Sequence, residues 1–255
     1  MYYVYSNLFQ TKLTEIQYFP DSLKLNWDQL NDYIDTKPIM IFIPNPNQPI
    51  EDTLTLGQIS KIADKTAKNN TLLVIDEAYY MFGCQSAIEL IDEFENLVVL
   101  RTFSKGFGVP SIRLGFMVSN EYNMEVFSKT RFAHESNSLR NAVAEYLLDN
   151  YEVVDSYVQK VIKGRAYVKD ALTDLGIKCN GESANYLLVD LINAEKRDKT
   201  VAFLEENLVY VKGNFSSPWD KYMLITIGPK EMMEPFIDLM SIASEKYALS
   251  KDMRS

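Results

Sequence analysis

Short apolar runs, each closed by a polar or turn-forming cluster and separated by longer amphipathic stretches, dominate the first half of this chain. That alternation is the pattern of βα units wrapped around a mostly parallel sheet. Strands are predicted over residues 39–43, 72–75, 97–100 and 114–118. Between the first two, Leu56, Ile59, Ile62 and Ala63 share one helical face, a spacing that a two-residue period would scatter. Strands so continuously apolar are expected to be covered on both faces.

Beyond residue 120 the character changes. Residues 139–148 and 153–175 read as helices, the second long enough to bridge two domains, with Gly176 as its natural C-cap. Strands over 186–191, 208–211 and 223–227, with helices near 196–206 and 230–247, read as a smaller α+β unit. The expected organisation is a large α/β domain over residues 1–150 and a small C-terminal domain over residues 151–255.

Composition removes several function classes. Lys and Arg number 26 against 35 Asp and Glu, a formal net charge of −9, so the overall field repels polyanions and no nucleic-acid partner is expected. No apolar run approaches the roughly 20 residues of a bilayer span, and the start at Met1 has no basic-then-apolar leader, so a cytoplasmic protein with no membrane partner is expected. Cys84 and Cys179 lie far apart without CxxC spacing, which argues against a disulfide framework or a thiolate zinc site. Both read as small buried hydrophobes. The single histidine, His134, excludes an HExxH metal site, and its polar surroundings make it a surface or cap residue rather than a catalytic base. No metal site is expected.

In an open α/β sheet, ligands gather beyond the carboxyl ends of the strands. Three such ends carry polar groups: Asn45-Pro-Asn47-Gln48-Pro, Asp76-Glu-Ala-Tyr79, and Arg101-Thr102-Phe-Ser104-Lys105-Gly-Phe-Gly followed by Arg113. The hydrophobic run before Asp76 and Glu77 is also seen in P-loop ATPases, but no GxxxxGK[ST] accompanies it here. Singly, Asp76 and Glu77 could be a solvated strand end and Lys105 a surface residue in a turn. Together they form the donor set that pyridoxal phosphate requires. Lys105 offers an amine for a Schiff base, Asp76 a carboxylate for the pyridine nitrogen, Tyr79 with Asn47 or Gln48 donors for the ring hydroxyl, and Arg113 a cation for the phosphate.

The segments NPNQP, VIDEAYYMF and RTFSKGFGVPSIRLGF resemble the histidinol-phosphate aminotransferase branch of the class I/II, fold-type I, pyridoxal-phosphate aminotransferases. The resemblance runs over nearly the whole chain, and its most specific part is the spacing of eight from Lys105 to Arg113, after DEAY and an NPN turn. It implies a pyridoxal-phosphate-dependent transaminase that moves an amino group between a small-molecule donor and a keto or aldehyde acceptor. The fold implied is a large domain with a mostly parallel sheet and a smaller C-terminal α+β domain, assembled as a homodimer. Lys105 becomes the Schiff-base lysine and proton carrier, Asp76 the partner of the pyridine nitrogen, and Tyr79 the donor to the phenolic oxygen. Thr102, Ser104 and Arg113 become the phosphate grip, Gln48 and Asn47 neighbours of the phenolic oxygen, and Tyr2 the aromatic that stacks on the ring.

Three departures accompany the resemblance. Gln48 stands where the family has an asparagine, followed by Pro49-Ile50-Glu51. Leu224 stands where relatives carry the arginine that pairs with a substrate α-carboxylate, and an apolar side chain cannot hold that charge. Either another cation such as Lys212 substitutes, or the substrate lacks that carboxylate. Finally, residues 1–6 resemble a segment that relatives carry well inside the large domain, so the chain resembles an N-terminally shortened member. Two alternatives stay open: a decarboxylase or lyase on the same cofactor frame, and a non-catalytic remnant that needs a partner chain.

Overall fold

The computed structural model of the protein describes residues 2–131 and 135–250. His134, read above as a surface or cap residue, lies outside the described residues. A short helix, α1 (Tyr2–Leu8), precedes the strand pair β1 (Tyr18–Phe19) and β2 (Lys24–Leu25), then α2 (Trp27–Asp35). The central sheet follows: β3 (Met40–Pro44), α3 (Leu56–Ala67), β4 (Leu72–Asp76), β5 (Leu97–Thr102) and β6 (Gly115–Val118). Helices α4 (Glu121–Ser128), α5 (Ser138–Asp149) and α6 (Tyr151–Asp174) lead to a second sheet of β7 (Cys179–Asn180), β8 (Tyr186–Asp190) and β9 (Tyr222–Thr226), with α7 (Ala194–Glu206) before β9 and α8 (Lys230–Tyr247) after it.

The four-stranded sheet has the order β3-β4-β5-β6. Its first two pairings are parallel and the third, β5 with β6, is antiparallel, so the sheet is mixed but mostly parallel. The segment from β5 to β6 holds only the tight turn Pro110–Ile112, and without a crossover helix the chain turns back alongside the strand it has just left. Helix α3 begins where the sequence signals it: Thr55 accepts from the Gln58 N–H while the Gln58 side chain reaches back to the Thr55 N–H, satisfying two otherwise orphaned donors.

One face of this sheet is closed. Ile41, Ile43, Leu73, Ile75, Leu97 and Val99 pack with Leu30, Ile34, Ile59 and Ile62 from α2 and α3. The register puts Phe42, Val74, Val98 and Met117 on the other face, where Met40, Phe42 and Met117 remain 39%, 44% and 38% exposed. Burial on both faces, expected for all these strands, therefore holds for β4 and the start of β5 and fails for β3 and β6. On that second face Phe42 meets the ring of Tyr2, with centroids 5.2 Å apart, and is still left largely open.

The three-stranded sheet is antiparallel, and every residue of β8 is buried. Its core joins Val158, Val161 and Leu172 of α6 to Leu187 and Leu188 of β8 and to Phe236 and Met240 of α8, and it reaches Tyr79, Phe82, Phe103 and Phe107 beyond the first sheet. Gly164 permits the close contact of α6 with the chain after β9, since a Cβ there would lie 2.0 Å from the Gly228 carbonyl oxygen. The strand expected over residues 208–211 does not form. The chain leaves α7 with Leu208 in the left-handed region at φ 63°, leaves Leu208 and Tyr210 exposed, and makes only an isolated bridge between Lys212 and Leu224. Cys84 and Cys179 are free and half-buried rather than core residues. Among the described residues no helix is long and apolar enough to cross a membrane.

Candidate functional site

Because β3, β4 and β5 run parallel, with Pro44 opposite Asp76 and Asp76 opposite Leu100, their carboxyl ends stand side by side. The three polar segments singled out in the sequence begin there. Asp76 is the last residue of β4, half-buried; its Oδ1 accepts from the Ala78 N–H at 3.1 Å and its Oδ2 from the Tyr2 hydroxyl at 2.9 Å. Burial and the Asp76 charge together push the Tyr2 phenol well above its ordinary range. The Tyr2 ring lies 5.2 Å from that of Phe42, so the aromatic assigned to a stacking role is held here by a carboxylate and a neighbouring ring.

Tyr79 is buried, and its phenol is pushed up to about 12 by burial and the Asp76 charge, against the pull of a hydrogen bond with the Gln48 side chain. The ammonium of Lys105 lies 5.2 Å from the Tyr79 ring centroid, a cation over a π face. Among the described residues it has no hydrogen-bond or ion-pair partner. Gly106 lets this loop settle on the turn after β4, because a Cβ there would lie 2.3 Å from the Met81 sulfur. Thr102 Oγ1 accepts from the Ser104 N–H at 3.1 Å, which tightens the start of the same loop. Arg113 occupies the left-handed region at φ 49°, exposed, with its guanidinium on the Pro110 carbonyl at 3.2 Å. Tyr2, Gln48, Asp76, Tyr79 and Lys105 thus form one connected group, Asn47 adjoins it, and Arg113 lies exposed on the loop that follows Lys105.

Glu77 is not a solvated strand end. It is fully buried, and its Oε2 accepts from Ser86 Oγ at 2.9 Å and Arg101 Nε at 3.1 Å, while Oε1 accepts from the Ala87 N–H at 2.5 Å. Arg101 also donates to the Tyr80 hydroxyl and Ser86 Oγ. Desolvation still holds the Glu77 carboxyl above the usual range. Cys84 nearby is pushed up to about 12 by burial and the charges of Glu77 and Glu51, so its thiol stays protonated at neutral pH.

Leu224 is 6% exposed within the second core. Lys212 exchanges both backbone hydrogen bonds with it, at 3.1 and 2.8 Å, which makes the two side chains direct neighbours on one face of the sheet. The Lys212 side chain is exposed, with its ammonium 5.0 Å from the Phe215 ring centroid.

Sequence reasoning missed Tyr186, Glu51 and the Glu77–Arg101 pair. Tyr186 looked like one more apolar strand residue. Glu51 was visible only as an oddity after Pro49-Ile50, yet its Oε1 accepts from the backbone N–H groups of Glu182 and Ser183 at 2.7 and 2.6 Å.

The sequence pattern of the family described as "Aminotransferase class I and II" matches residues 1–239. Histidinol-phosphate aminotransferase 1 of Carboxydothermus hydrogenoformans is 32% identical over 232 residues, 91% of this chain and 64% of its own. A dihydroxyacetone phosphate transaminase of Campylobacter jejuni is 30% identical over 218 residues, 84% of this chain and 58% of its own. The chain therefore spans about three fifths of the length of these curated relatives. The solved structure of histidinol-phosphate aminotransferase from Sinorhizobium meliloti in complex with pyridoxal-5'-phosphate superposes with a TM-score of 0.83 at 19% identity, over 96% of this chain and 67% of that one.

Proposed function

The chain belongs to the aminotransferases of class I and II, and on that premise we propose that it works as a pyridoxal-phosphate-dependent transaminase. The donor set fits that cofactor. An amine, a strand-end carboxylate and a buried phenol stand together at Lys105, Asp76 and Tyr79, with hydroxyls at Thr102 and Ser104 and a guanidinium at Arg113 on the adjoining loop. When bound, the cofactor supplies an electron sink for charge developing on the substrate's α-carbon.

The residues divide the remaining work. Lys105 would anchor the cofactor through its amine and, once released, carry the proton to and from the substrate's α-carbon. Its ammonium lies over the Tyr79 ring and, among the described residues, no carboxylate competes for it, which supports that reading. Asp76 would face the ring nitrogen, with Tyr2 and the Ala78 N–H fixing its two oxygens. Tyr79 would donate to the phenolic oxygen, and a phenol raised to about 12 keeps its proton for that purpose. Gln48 would act through Tyr79, which it already touches, rather than in place of the family's asparagine. Thr102, Ser104 and Arg113 would hold the phosphate, Arg113 by its bidentate geometry.

The substrate reading follows from Leu224. A buried leucine offers nothing to an α-carboxylate, so the preferred substrate would lack one, or Lys212, its neighbour on the same face, would hold it. The curated relatives named above are a histidinol-phosphate aminotransferase and a dihydroxyacetone phosphate transaminase, which favours a phosphorylated keto or aldehyde acceptor. Efficient turnover of aspartate or glutamate, undiminished in Lys212→Met, would sink both forms of this idea.

The observation that carries the reading is the contact of Lys105 with Tyr79 at the end of the strand that bears Asp76. It is tested by adding pyridoxal phosphate, reducing with borohydride and mapping the modified peptide. Stoichiometric modification at Lys105, lost in Lys105→Ala, is the expected result; scattered or absent modification overturns it. A cytoplasmic homodimer, with a cofactor domain over residues 1–150 and a small domain over 151–255, completes the proposal. A partner-dependent chain is the second reading, favoured by the exposed Met40, Phe42 and Met117.

A further inference from the structure

We propose that Tyr186 is a positioning residue of the candidate site, locking the Asn47–Gln48 turn against Tyr79; the proposal rests on the cofactor reading above. Tyr186 is 1% exposed, on a strand whose remaining apolar members are Leu187, Leu188 and Val189. Packing alone would be served equally well by phenylalanine, because a buried hydroxyl must find a partner to offset its desolvation. Here the partner is specific. The Tyr186 hydroxyl donates to the carbonyl oxygen of Asn47, 139 residues away in sequence.

The same ring meets Tyr79 edge-on, with centroids 5.2 Å apart and planes at 82°, a favoured aromatic geometry. One side chain from the second sheet therefore touches both walls of the group at the end of the first. The consequence for chemistry passes through Gln48, whose amide hydrogen bond draws the Tyr79 phenol down against burial. Gln48 can keep that contact only while the turn stays in place. Glu51 closes the other end of the turn, since its carboxylate binds the N–H groups of Glu182 and Ser183 in the segment leading into β8. The turn is thus strapped at both ends to the chain around Tyr186.

Tyr186→Phe keeps the ring and removes only the hydroxyl. Tyr222→Phe, at another buried tyrosine of the same sheet, is the control for a purely structural loss. Two readouts decide: the pH at which the absorption of bound pyridoxal phosphate changes, and hydrogen exchange of the peptide covering residues 45–54. In Tyr186→Phe, modification at Lys105 should persist, affinity for pyridoxal phosphate should fall about fivefold, the pH midpoint should move, and exchange in that peptide should accelerate. Tyr222→Phe should change none of these. An unmoved midpoint, or unchanged exchange, overturns the proposal. A wild-type chain that takes no modification at Lys105 overturns the cofactor reading instead, and the exchange result then decides by itself whether the strap exists.

Discussion

The two sheets are built from similar residues and end in different states. In β8 all five residues are buried, because α6 and α8 and the contacts of Tyr186 enclose the strand on both faces. In β3 the alternation Met40, Ile41, Phe42, Ile43 is equally apolar, yet only Ile41 and Ile43 are covered. An apolar strand declares how much surface it needs covered. Whether the chain itself supplies the cover is a separate matter, and here it does so for one sheet and for one face of the other.

The sharpest test of that contrast is a pair of truncations. Leu187→Ala, in the enclosed strand, is expected to cost about 3 kcal/mol from lost burial and the residual cavity, while Phe42→Ala, on the open face, should cost about 1 kcal/mol or less. Urea unfolding of both variants compares them directly, and equal losses would mean that the open face is covered in solution. Of comparable size, Glu77→Ala should cost about 3 kcal/mol, because it strands the partly buried Arg101 guanidinium without its carboxylate; the same titration measures it. Next comes Gly164→Ala. The added methyl collides with the Gly228 carbonyl, and the overpacking should lower stability by about 1–3 kcal/mol, seen as a lower melting temperature with unchanged modification at Lys105.

The smallest effect is one of pH. Desolvation outweighs the two backbone hydrogen bonds and Arg165, and raises the Glu51 carboxyl in the folded protein. A raised carboxyl binds its proton more tightly when folded, so its contribution is fully present below the unfolded value and fades as pH rises through the folded one. Glu51→Gln removes that dependence. Its urea midpoint, compared with that of the native chain, should therefore gain relative to it from mildly acidic to neutral pH, and a constant difference would show that Glu51 does not titrate in this window.

Much of the candidate site was legible because its residues lie in short motifs at strand ends. Asp76, Tyr79 and Lys105 are each set by the strand that precedes them, and parallel pairing alone brings those ends together. Glu77 was misleading for the same reason: beside Asp76 in sequence, it points to the opposite side of the strand end and is buried against Arg101. Arg113 was legible as a phosphate-type residue, but its exposed position on the Pro110 carbonyl was not, since the left-handed turn that puts it there leaves no periodic trace. The missing strand at 208–211 failed where local apolarity was read without asking what would pair with it.

Apolar period, capping residues and strand-end motifs are properties of neighbouring residues. They were enough, read from the sequence by itself, to place the four strands of the first sheet in order, while the motifs at their ends carried the resemblance to the family. The antiparallel turn of β6, the open face over Phe42 and Met117, the burial of Glu77 and the reach of Tyr186 to Asn47 were decided only by tertiary structure. Each depends on which distant surfaces meet once the loops have closed, and a hydrogen bond across 139 residues leaves no local signal in the chain that makes it.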